Sequence, residues 1–177
     1  MGWGRTAALA LALSACSAGE DGNGTANGVL PKGPETEATR VAADALPEAL
    51  RALVLRTVPG MTIEDTERKQ REGRVYYDVE GRRADGSEVE LDILQEGEVF
   101  RVVEIQRDIA WADAPDAARA AAAARPDAFA PARVIESTQT DGSVIYELFA
   151  PGRAAEPAME VRMRDGRAEV LSERWAH

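Results

Sequence analysis

The chain has 177 residues, with 31 Asp and Glu against 21 Lys and Arg, a formal net charge of −10, one cysteine and one histidine. The acidic balance argues against a nucleic-acid partner, which would want a basic stripe, and suits solubility. Cys16 as the only cysteine excludes a disulfide within the chain, and His177 as the only histidine leaves a Cys/His nucleophile pair or a His/Cys zinc site without its residues.

Residues 1–15 carry one charge, Arg5, then an unbroken apolar run from Ala7 to Leu13 and the small residues Ser14 and Ala15. A positive head, a short apolar middle and a small-residue exit predict a secretory signal peptide. The run is far shorter than the ~20 residues a spanning helix needs. Leu13-Ser14-Ala15-Cys16 resembles the bacterial lipobox. That resemblance implies a diacylglycerol on the Cys16 sulfur, cleavage before Cys16 and, in many bacteria, a further acyl chain such as palmitate on the new amino terminus. Several chains are needed because each buried CH₂ contributes only about 0.8 kcal/mol. The expectation is a lipoprotein on the bacterial cell envelope, its membrane contact made through the lipid. Ser17 after the cysteine resembles outer-membrane sorting, facing the periplasm, in a host with two membranes.

Residues 16–43 are dominated by Gly, Pro, Ser, Thr, Asn and Glu. Such a segment buries too little apolar surface to offset its ordering entropy, so a flexible tether is expected. Its "EDGNG" at 20–24 resembles a fragment of a calcium loop without the remaining ligands.

Two stretches that follow resemble each other in spacing and residue type: "DALPEALRALVLRTVPG" with "DAPDAARAAAAARPDAF", where Pro47 corresponds to Pro115, and "EGRVYYDV" with "DGSVIYEL", where Tyr77 corresponds to Tyr146. The duplication divides the remainder into repeat 1, residues 44–108, and repeat 2, residues 109–177.

Each repeat opens with a helix. Leu46, Leu50, Leu53, Val54 and Val58 recur at helical spacing, Pro47 suits the first turn, and Pro59-Gly60 ends the run. The second helix, between Pro115 and Pro126, is alanine-rich, with high helix propensity and little bulk. Alternating strands follow: Val75, Tyr77 and Val79; Val89, Leu91 and Ile93; Val144, Tyr146 and Leu148; Met159, Val161 and Met163. Glu72-Gly73, Asp85-Gly86, Glu96-Gly97, Asp141-Gly142 and Asp165-Gly166 mark turns between them. Further strands near 61–70 and 132–140 complete the pattern. The predicted fold class is α+β: two repeats of a helix plus a four-stranded antiparallel meander, the helices on one face of the sheet and the other face wet.

A helix opened by proline and closed near "PG", then "G.VYYDV", "G..VELDI" and "EGEV", resembles the PepSY-like superfamily, and the tandem arrangement resembles its β-lactamase-inhibitor-like members. The resemblance covers about residues 44–177. The second copy departs from it in its alanine-rich helix and in "APGRAAEPAME". It implies a secreted or envelope protein that binds other proteins. The partner would be an extracytoplasmic protease or another enzyme, with this chain as regulator or inhibitor. An alternative is a structural or assembly lipoprotein of the envelope without inhibitory activity.

Within this frame Tyr77 faces the core and Tyr76 faces out beside Asp78. Glu88, Glu90 and Asp92 alternate onto the same wet face, where neighbouring carboxylates can share a proton, hold a cation or simply be solvated. Tyr76, Asp78 and Glu90 are the candidate binding residues, since aromatics concentrate binding energy; the competing reading of Tyr76 is cross-strand packing. Trp111 and Trp175 are read as sealing domain edges. No phosphate loop, dinucleotide fingerprint or nucleophile elbow is present. The expectation is therefore a chain that is not an enzyme, with no catalytic residue, metal site or cofactor.

Overall fold

The computed structural model describes residues 36–153 and 155–175. The expected signal peptide, Cys16, most of the expected tether and His177 lie outside the described residues. The described chain forms β1 (Glu37–Arg40), α1 (Glu48–Thr57), β2 (Thr62–Arg71), β3 (Arg74–Arg82), β4 (Glu88–Glu96), β5 (Val99–Asp108), α2 (Asp116–Ala123), β6 (Arg133–Gln139), β7 (Val144–Phe149), β8 (Met159–Arg164) and β9 (Arg167–Val170), with single 3₁₀ turns at Ala43–Ala45 and Trp111–Asp113.

All nine strands join one antiparallel sheet in simple sequence order, β1 to β9. The expected α+β architecture of two helix-plus-four-strand repeats is overturned by this finding. The fold is mostly β, one nine-stranded sheet carrying two short helices. The physical reason lies at the seam. A meander standing alone leaves edge strands with unpaired backbone groups, whereas here Glu104 to Asp108 of β5 pair with Gln139 to Ile135 of β6, which makes the ladder continuous. A further strand comes from residues expected to be tether: Glu37–Arg40 form β1, pairing with Gln70–Glu67 of β2.

Local chemistry explains the elements. Pro47 and Pro115 take the N-cap positions of α1 and α2, where a missing N–H costs nothing. Glu72-Gly73 and Asp165-Gly166 both have positive φ, 50° and 76° in the first pair and 50° and 73° in the second. That is the two-residue turn whose twist matches an antiparallel hairpin.

Residues paired across strands point to the same face. The row Val79, Leu91, Ile105, Thr138, Val144, Met163 and Ala168 therefore identifies one face from β3 to β9. Both helices pack on it. Leu50 and Val54 of α1 are fully buried against Tyr77, Val79, Val89, Leu91 and Ile93. Ala118 and Ala122 of α2 pack against Val134, Tyr146, Leu148, Met159 and Val161. Alanine lets the second helix sit close, and Trp111 and Phe129 supply bulk at its margins.

Candidate functional site

Among the described residues the opposite face carries no helix, and it holds the polar residues. The first row across it runs Asp78, Asp92, Glu104 and Gln139 on β3 to β6. The second, two residues along, runs Glu80, Glu90, Gln106, Ser137, Ile145, Arg162 and Glu169. A third pair, Glu147 with Glu160, joins β7 to β8.

The expected wet face is wet only at its margins, and its centre is buried. Asp78, Asp92, Glu104 and Glu160 are buried, at 6%, 7%, 3% and 3% exposure. Ser137 and Ile145 are fully enclosed. The ladder shifts register at Ile63/Asp65 and at Asp92/Ile93, and such bulges bend a strand and raise its local twist. The carboxyl-terminal segment closes one end: the Trp175 backbone N–H donates to Glu160 Oε2 at 2.6 Å, and the Arg162 guanidinium lies 5.9 Å from the Trp175 ring centre.

Tyr76, Asp78 and Glu90, the residues singled out from sequence, do share this face. Tyr76 departs from the expectation of an exposed contact residue: it is buried, with the Arg71 guanidinium 4.9 Å over its ring. Asp78 is buried and ion-paired with Lys69 of β2. Glu90 is half-buried, and burial first, then the charges of Asp92 and Glu80, pushes its carboxyl up to about 8. Glu147 is pushed up to about 8 as well, by burial first and then by Glu104, Glu160, Glu90 and Asp92. Burial also raises Glu160.

Asp78, Glu90 and Asp92 each offer a carboxylate oxygen within 4.8 Å of the others. A hard cation would find oxygen ligands there, in competition with the ammonium of Lys69. No His/Cys ligand set accompanies them, since the described residues contain neither type.

A cavity of about 200 Å³ opens at one end of the face, lined by Glu64, Glu80, Glu90, Gln106, Asp108 and Arg133 among others. Arg133 is tied down by Asp108, its Nε and one terminal nitrogen donating at 2.7 and 2.9 Å. Gly81 forms part of the wall. A Cβ there would stand 2.1 Å from the Thr62 carbonyl oxygen, so only glycine allows β2 to approach at its bulge.

Sequence reasoning passed over Glu104, Gln139, Glu147, Glu160 and Arg133. Period-two alternation was a usable signal for which face each occupies. Their juxtaposition was not legible, because it depends on β5 pairing with β6. Gln139 shows this: its amide donates to Glu104 Oε1 at 2.8 Å and to Ser137 Oγ at 2.7 Å, across a seam between distant segments. Compared with known proteins, the chain matches no family model, no curated protein and no solved structure.

Proposed function

We propose that this chain is a non-catalytic protein-binding module, held at the bacterial cell envelope by a lipid on Cys16, and that it meets its partner through the helix-free face of the sheet. The observation that carries the reading is the acid-lined cavity on that face. Its rim presents the exposed Glu80 together with Glu64 and Glu88, both ion-paired with Arg82 at 3.1 and 2.7 Å so that a partner's cation would compete with that arginine, over the half-buried Glu90. A surface built this way complements a partner segment carrying lysine or arginine, and such complementarity sets orientation and encounter rate. The lack of histidine and cysteine among the described residues supports a binding role over nucleophilic catalysis. The resemblance of its strand and turn segments to PepSY-like proteins supports an extracytoplasmic partner, with regulation or inhibition of an enzyme as the consequence of binding.

The test is site-specific crosslinking in intact cells. A photoreactive residue replaces Glu88 on the rim or, as control, Leu55, an exposed residue of α1. The reading expects a discrete extracytoplasmic protein joined to position 88 and not to position 55, lost when Glu64 and Glu80 are both changed to lysine. Equal labelling at both positions, or none at position 88, overturns it.

A further inference from the structure

The β2–β3 hairpin sorts its charges along its length. On β2 the acids Glu64, Asp65 and Glu67 come first, and Arg68, Lys69 and Arg71 follow toward the turn. β3 returns from Arg74 at the turn to Asp78 and Glu80. Arg82, at the acid end, is held between Glu64 and Glu88 at 3.1 and 2.7 Å. The acid-lined cavity opens at that same end. From Arg74 to Gly81 in the cavity wall, β3 covers roughly 24 Å at about 3.4 Å per residue.

At the basic end Tyr76 holds two guanidinium groups. Arg71 lies 4.9 Å over its ring, and the exposed Arg74 donates to its hydroxyl. Lys69 is paired with Asp78, and Arg68 is half-buried on the helix-bearing side of β2. Glu72 in the turn and Glu37 on β1 oppose these cations. The next turn is acidic, with Glu96 paired to Arg101 and Glu98 beside it. The positive charge is therefore confined to the corner of the sheet made by β1, β2 and β3. The chain joins the sheet at this same corner: Glu37 of β1 pairs with Gln70, and Thr36 lines a small cavity with Lys69, Arg71 and Tyr76. Residues 17–35, which lead back to Cys16, can span at most about 70 Å.

We propose that this basic corner lies against anionic phospholipid headgroups and turns the acid-lined cavity away from the membrane, toward its partner. The inference rests on the lipid anchor at Cys16 proposed above and adds the direction in which the sheet faces. Two independent features agree on it: the anchored segment enters at the basic corner, and the acids stand at the far end of the same hairpin. A net charge of −10 does not oppose such contact. At physiological salt the screening length is about 8 Å, so the surface acts on the nearest charges rather than on the sum. Each arginine near an anionic surface strengthens binding about fivefold, and its planar fork suits phosphate oxygens.

The experiment uses the full chain with Cys16→Ala, so that no lipid is attached there and an introduced cysteine can take a fluorophore. Gln70→Cys places the label at the corner; Ala84→Cys places it in the exposed turn between β3 and β4, at the cavity end. Binding is measured to vesicles of phosphatidylcholine alone and of phosphatidylcholine with phosphatidylglycerol carrying a headgroup quencher. The expected result is at least about tenfold tighter binding to the anionic vesicles at about 0.05 M salt, lost near 0.5 M as screening shortens. Quenching is expected at position 70 and not at position 84. Arg68→Gln with Arg74→Gln is expected to weaken anionic binding about tenfold, and Glu72→Gln to tighten it about fivefold. The Glu72 variant keeps every cation, so it decides the matter even if the double variant fails to fold. Equal affinity for both vesicles, equal quenching at the two positions, or no effect of Glu72→Gln overturns the proposal. Because this chain has no thiol at position 16, such a failure leaves the Cys16 anchor standing, whereas absence of fatty-acid labelling in the wild-type chain strikes the anchor and not the vesicle preference.

Discussion

Tyr76 and Tyr77 are consecutive in β3, point to opposite faces of the sheet, and are both buried, at 4% and 7% exposure. Tyr77 stacks edge-on to Phe100 with ring centres 5.9 Å apart, under α1. Tyr76 lies on the helix-free face against Lys69 and Leu94 across the ladder, beneath the Arg71 guanidinium. Truncating a buried large aromatic costs about 3–5 kcal/mol. Tyr77→Ala and Tyr76→Ala are therefore both expected to be severe, with Tyr76→Ala within about 2 kcal/mol of Tyr77→Ala because a cation rather than an apolar layer covers it. Tyr146→Ala is expected to lower the same cooperative transition, since β5 and β6 tie both core clusters to one ladder. Urea melts of the three variants check this. A Tyr76→Ala cost under about 0.5 kcal/mol, typical of surface changes, would contradict the burial of the helix-free face.

Gly81 sits in mid-strand with no room for a Cβ. The added methyl of Gly81→Ala would meet the Thr62 carbonyl oxygen at 2.1 Å and Met61 Cε at 2.8 Å. The methionine end can move; the backbone carbonyl cannot without breaking the β2 bulge. Overpacking of this kind costs about 1–3 kcal/mol, and the upper end is expected here. By contrast, an added Cβ at Gly86 has nothing within 4 Å, and the strain there comes only from its φ of +85°. A midpoint for Gly81→Ala equal to wild type, measured by denaturation, would be inconsistent with this strand approach.

Lys69 is the cation paired with buried Asp78, and it also holds the Glu90 carboxyl lower than its acidic neighbours would set it. Lys69→Met keeps the aliphatic stem and removes the charge. Breaking a buried pair costs about 3–5 kcal/mol; Lys69 is one-third exposed, so about 1–3 kcal/mol is expected. The Glu90 carboxyl should move further up, and carboxyl NMR reads that directly. A downward move, or none, would mean that Lys69 does not act on Glu90.

Cys16→Ala tests the anchor proposed for the envelope. Metabolic labelling with a fatty acid is expected to mark the wild-type chain and not the variant, and the variant is expected to leave the membrane fraction. One acyl chain holds only marginally, so loss of the whole modified cysteine should release the protein outright. Unchanged labelling and membrane association in Cys16→Ala would remove the anchor from the proposal.

The sequence by itself determined the local elements. Helical spacing from Leu46 to Val58, proline at the start of each helix, period-two alternation in β3, β4, β7 and β8, and the Glu72-Gly73 and Asp165-Gly166 turns all act within a few residues. Short-range sterics and hydrogen-bond geometry decide them. Opposite orientation of Tyr76 and Tyr77 followed from the same alternation. Only the tertiary structure decided that β5 pairs with β6, that Glu37–Arg40 add a strand, and that one nine-stranded sheet replaces two repeats. Edge pairing is made by backbone groups that every residue carries, so no side-chain pattern announces it. The same holds for the buried carboxylates. Alternation separates polar from apolar positions within each strand, but that Asp92, Glu104 and Glu147 share a face, and that Asp92 and Glu104 are buried on it, depends on the register of the joined strands. Those are long-range contacts, and they bury acids that alternation alone would leave on the surface.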